Sequence, residues 1–130
     1  MLFKSKSIDL SDFHFEHKQW LRELRFWKDE LITFKHRLEE VVKRWEDKDI
    51  LAQVEHFQNQ FIRHNEVLDI AIHDVNAHEH DLTVLAREVQ KTSDFAFINK
   101  HVKLRDDIDT QRKIYNDLKQ SFFSFLIATK

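Results

Sequence analysis

Three histidines stand where a helical protein ordinarily carries leucine. His17 lies in "DFHFEHKQWLREL" between Phe13 and Trp20, His78 between Val75 and Leu82, and His101 between Phe97 and Leu104. Each belongs to an apolar run that steps by three and four residues, the spacing of a buried helical stripe. A buried imidazole needs a partner for both ring nitrogens. Neutral imidazole suits zinc, iron, copper, nickel and manganese, and helical bundles build metal sites from side chains that face one another in the interior. Carboxylates flank the same positions: Glu16 and Asp74 border two of the stripes, Glu79 follows His78, and Asp107 lies less than two turns beyond His101. His14, three residues before His17, sits on the shoulder of its stripe. The candidate metal set is therefore His17, His78 and His101, with His14 and Glu79 as further ligands and zinc or iron as the ion.

Helices must position these residues. The first stripe runs from Phe13 through Trp27 and Phe34 to Trp45, the second from Val54 through Phe61 and Leu68 to Val89, and the third from Phe97 through Ile108 and Tyr115 to Phe125. Two breaks interrupt the pattern, "EDKD" at 46–49 and "QKTSD" at 90–94. Asp49 is expected to cap the second helix and Ser93 or Asp94 the third, since a short side-chain oxygen satisfies the free N–H groups of a first turn. The reading is all-α: one domain over 1–130, an up-down-up bundle of three long antiparallel helices at roughly 11–46, 50–90 and 94–129. At about 1.5 Å per residue each rod is roughly 50 Å long.

Folding the chain at Lys48 sets His17 and His78 at one height, since one lies 31 residues before that bend and the other 30 after it. A second bend near Thr92 leaves His101 staggered from His78 by five residues, or roughly 7 Å, which turn geometry and side-chain reach absorb. One imidazole from each helix then points inward at one end of the bundle. His64 occupies a stripe position with no histidine opposite it and reads as structural, while His36, His56 and His73 fall off the stripes.

Composition narrows the alternatives. Gly, Pro and Cys are all absent, which disfavours a sheet protein built on tight turns and removes disulfides, thiolate ligands and thiol nucleophiles. A phosphate-cradling loop would want glycine, and the serines show no base or oxyanion arrangement, so an enzyme is not expected. Charged residues make up 34% of the chain at a formal net charge of −2, a balance that argues against nucleic acid as a partner. The longest apolar stretch, "FFSFLIA" at 122–128, is far below the ~20 residues of a membrane span. A soluble, cytoplasmic protein without a membrane partner is expected. Phe15, Phe26, Ile32, Ile62, Ile70 and Val84 fall outside the stripes and offer surface for a homo-oligomer or another helical protein. The alternative to metal binding is thus a structural or adaptor bundle acting through protein contacts, whose buried histidines only fix helix register.

"HRLEE" (His36 to Glu40) resembles the H-x-x-x-E of hemerythrins, and "HVKLRD" (His101 to Asp106) resembles their H-x-x-x-x-D. That likeness implies an oxygen-binding di-iron pair in a four-helix bundle. The H-x-x-x-H helix between those pieces has no counterpart among His73, His78 and His80, and the expected fold sets His36 and His101 at opposite ends. The chain is assigned to no family.

Overall fold

The computed structural model describes residues 7–130, and three long helices carry most of them. Helix α1 spans Leu10–Arg44, α2 spans Lys48–Ala86 and α3 spans Phe95–Ala128. Each begins at an aspartate whose carboxylate accepts first-turn N–H groups: Asp9 from Ser11, Asp47 from Asp49 and Ile50, and Asp94 from Phe97. Such a cap satisfies backbone donors that the helix itself leaves without partners. The second cap corrects the expectation of Asp49. Asp47 reaches two backbone donors, so α2 starts two residues earlier and Asp49 falls in its first turn. Helix α1 stops where Trp45 turns extended, with Lys43 and Arg44 placed against the negative end of the helix dipole.

Helix α2 ends at Ala86, four residues short of the expected boundary, and Val89 at the end of its stripe is exposed. The chain turns there into a two-residue strand, β2 (Lys91–Thr92), which pairs antiparallel with β1 (Ile8–Asp9). The Leu10 N–H donates to the Gln90 carbonyl at 2.9 Å. This tie straps the start of α1 to the α2–α3 connection.

Facing side chains establish the up-down-up order. Between α1 and α2 residue numbers run oppositely, with Phe34 on Phe61, Lys28 paired to Asp69 and His17 to Glu79. Between α2 and α3 they do so again, with Phe57 on Phe125, His64 on Tyr115 and His78 on Phe97. Helices α1 and α3 are parallel, and a ladder of ion pairs records it: Glu16 with Arg105, Glu23 with Arg112 and Glu30 with Lys119. The rungs repeat every seven residues on both helices, the period at which parallel helices present one face to each other. Each rung contributes at most about 1 kcal/mol; their shared offset sets the register.

The interior falls into two parts. A large cluster extends from Trp20 and Leu104 to Val41, Val54 and Phe125, rich in aromatic contacts such as Trp27 on Tyr115 and Phe122 on Phe61. Burying each large apolar side chain stabilises by about 1.5–3 kcal/mol. A small second cluster of Leu10, Phe13 and Leu82, with Ile8, Leu85, Phe97 and Ile98 against it, closes the other end. Between the two lie His17, His78 and His101. Phe15, Phe26, Ile32, Ile62, Ile70 and Val84 are all exposed, as their place outside the stripes implies. No helix among the described residues is long and apolar enough to cross a membrane.

Candidate metal centre

His17 comes from α1, His78 from α2 and His101 from α3, and all three are 0% exposed. Their rings form a nearly equilateral triangle, with centroids 5.0 Å apart for His17–His78, 4.9 Å for His17–His101 and 5.3 Å for His78–His101. One nitrogen from each lies within 4.8 Å of the other two. The inward nitrogens of His17 and His101, Nε2 and Nδ1, are 3.1 Å apart. The two bends thus bring the three stripe histidines to one point despite the five-residue stagger read from the sequence.

Outward, two of the rings are held by carboxylates. His17 Nδ1 donates to Glu79 Oε1 at 2.7 Å, and His101 Nε2 donates to Glu16 Oε1 at 2.6 Å. Glu79 also accepts from His14 Nδ1 at 2.8 Å, and Glu16 accepts a two-pronged pair from Arg105. Hydrogen bonding from Arg105, reinforced by His101, outweighs the desolvation of Glu16 and holds its carboxyl down at about 2. Burial is the first cause that pulls His17, His78 and His101 below the ordinary imidazole range, to about 4 for His78, whose neighbours His17 and His101 add to the effect. At neutral pH Glu16 is therefore charged and the three imidazoles are neutral.

The arrangement is short of hydrogens. The chain Glu79–His17–His101–Glu16 contains three short contacts, each wanting a hydrogen, whereas two neutral imidazoles carry two. The ionised carboxylates accept only, so both hydrogens go to the outer nitrogens. Two lone pairs are then left facing across 3.1 Å. His78 adds to the deficit: neither of its buried nitrogens has a partner. A proton shared between His17 and His101 would satisfy that one contact, whereas a metal ion among the rings would take a lone pair from each of the three.

Aromatic rings screen the layer from bulk solvent. Between ring centroids, Trp20 stacks on His101 at 4.8 Å, Phe97 stacks on His78 at 4.5 Å, and Phe13 lies 4.3 Å from His101. A tetrahedral zinc with bonds of about 2.0–2.1 Å sets its nitrogens about 3.3 Å apart. That spacing falls between the 3.1 Å of the His17–His101 pair and the 4.8 Å limit within which all three nitrogens lie. Carboxylates behind ligating histidines fix the tautomer and raise ring basicity, which is how Glu79 and Glu16 stand here.

The other sequence candidates divide clearly. His14 and Glu79 are brought to the site but stand behind His17: Glu79 accepts from its outer nitrogen, and His14 bonds to Glu79 alone. Asp74 is exposed beside His73, and Asp107 is exposed and paired with Lys103. His36 pairs with Glu39 on the surface, far along α1 from His17, so the hemerythrin-like pieces share no site. His64 is buried against Tyr115, ring centroids 5.1 Å apart. The role of Glu16 behind His101 was not read from the sequence. Its signal is the seven-residue repeat of Glu16, Glu23 and Glu30 matched by Arg105, Arg112 and Lys119.

Fold and site together define a three-helix bundle with a buried three-histidine layer. No family model matches the chain, and neither a curated protein nor a solved structure matches it.

Proposed function

We propose that this bundle binds one divalent transition metal through His17, His78 and His101. Glu79 with His14 supports the first of these rings, and Glu16 with Arg105 supports the third. The observation that carries the reading is the convergence of three buried imidazoles whose inner nitrogens have lone pairs to give and too few hydrogens to share. Three neutral nitrogens in a compact triangle favour zinc over iron, which in non-haem sites is typically held by two histidines and a carboxylate with open positions. The metal joins all three helices at the end where the apolar core is smallest.

The test is the metal content of untagged protein, followed by zinc titration against a competing chelator. Stoichiometric zinc that is absent from His78→Ala supports the proposal. A folded protein that neither retains nor takes up metal rejects it in favour of a register-setting polar layer, with a proton shared across the 3.1 Å between His17 Nε2 and His101 Nδ1.

A further inference from the structure

Zinc held by three protein donors is one ligand short of its preferred four. Among the described residues the converging group is His17, His78 and His101 alone. The nearby carboxylates are committed elsewhere: Glu16 to Arg105 and His101, Glu79 to His14 and His17. Swinging Glu79 inward would break two hydrogen bonds and swinging Glu16 would break three, and either would uncouple an outer ring nitrogen. Residues 1–6 contain no His, Cys, Asp or Glu.

From this we infer that the metal keeps a fourth, exchangeable position taken by a small oxygen- or nitrogen-donor ligand no larger than a triatomic, with water as its resting occupant. The inference rests on the metal-binding reading and adds the class of ligand. Size follows from enclosure, since the three rings are fully buried and Phe13, Trp20 and Phe97 pack directly on them. A fourth five-membered ring would have to displace one of these side chains, whereas a donor with only one or two atoms behind it asks for far less room. Water lies close by nonetheless: the His14 side chain is 49% exposed and Glu79 25%, so the boundary with solvent is one residue beyond His17. Binding is a plain exchange, in which the metal–water bond breaks, the incoming lone pair forms the new bond and no electron changes hands.

Cobalt(II) reports coordination directly, because its visible bands respond to ligand number and type. The full chain is loaded with cobalt, bound metal is counted, and azide is titrated in parallel with imidazole. The expected result is stoichiometric cobalt whose bands shift saturably with azide and stay fixed with imidazole. Stoichiometric cobalt with bands indifferent to azide overturns the exchangeable position and leaves the metal reading standing. An equal response to imidazole overturns the size limit. Failure to bind cobalt overturns both readings.

Discussion

Glu16 and Arg105 meet as a two-pronged pair directly behind the ring of His101, with Nε donating to Oε2 at 2.8 Å and Nη2 to Oε1 at 2.7 Å. The same Oε1 accepts from His101 Nε2 at 2.6 Å. One carboxylate therefore does two things: it is the first rung of the α1–α3 ladder and it orients a candidate ligand. Glu16→Gln keeps the shape and removes the charge. Zinc affinity is expected to fall about 10–100-fold, the usual cost of losing such a support, while the lost rung lowers stability by no more than about 1 kcal/mol. Chelator competition alongside urea unfolding separates the two, and unchanged zinc affinity would show that the carboxylate serves register alone.

His78 offers the cleanest trade between stability and binding. It is fully buried and neither nitrogen is hydrogen-bonded, a condition that costs about 1–3 kcal/mol. Leucine has a similar volume and no polar atom. In metal-free protein, His78→Leu is expected to raise unfolding free energy by about that amount in urea titrations. With zinc at 100 times its Kd the wild type should gain about 2.7 kcal/mol and the variant nothing. A metal-free variant less stable than wild type would mean that His78 is satisfied in solution by a partner other than metal.

Helix number, direction and the meeting of three histidines were legible because each depends on a quantity that sequence carries directly. Apolar periodicity marks the inward face, and counting residues from two bends fixes height. Smaller features escaped for physical reasons. Asp47 and Asp49 both offer a capping carboxylate two residues apart, and only geometry shows that Asp47 reaches two N–H groups. The β1–β2 pair is two residues on each side, too short for alternation to announce it. Glu79 and Glu16 were visible as neighbours of the layer, but whether a carboxylate stands beside an ion or behind a ring depends on which nitrogen it meets. Periodicity says nothing about ring nitrogens.

His64 lies outside the triad and isolates one acid-sensitive contribution. It is 5% exposed, stacks on Tyr115, and its Nε2 has no partner; burial pulls its pKa below the ordinary 6.5. Because the folded pKa is the lower one, the unfolded chain binds more protons between the two values, so stability falls as pH drops. The contribution is fully present above about pH 6.5 and is lost progressively on acidification toward the folded pKa, with a limiting slope of about 1.4 kcal/mol per pH unit. In His64→Leu this component is expected to vanish. Urea midpoints from pH 8 to pH 5 for both proteins provide the check, and parallel curves would show that His64 is protonated equally well in the fold.

A metal at the histidine layer would act locally, because the layer lies at one end of a long rod. Any opening that separates His17, His78 and His101 must release the ion and forfeit its binding free energy. Openings that leave the triad intact forfeit nothing. The first kind includes unravelling of the small cluster of Leu10, Phe13 and Leu82 beyond the layer. The second includes fraying at the opposite end, where the Trp45 indole donates to the Thr129 carbonyl. Amide exchange reads each opening at the residues it exposes. Zinc is therefore expected to slow exchange on α1, α2 and α3 around the three histidines, and at the Leu10 N–H bonded to Gln90. Amides around Trp45 and Thr129 should keep their metal-free rates. Slowing confined to the Trp45 end would place the ion away from the histidine layer. An equal change at both ends would mean that binding stiffens the whole rod rather than clamping three helices where their imidazoles meet.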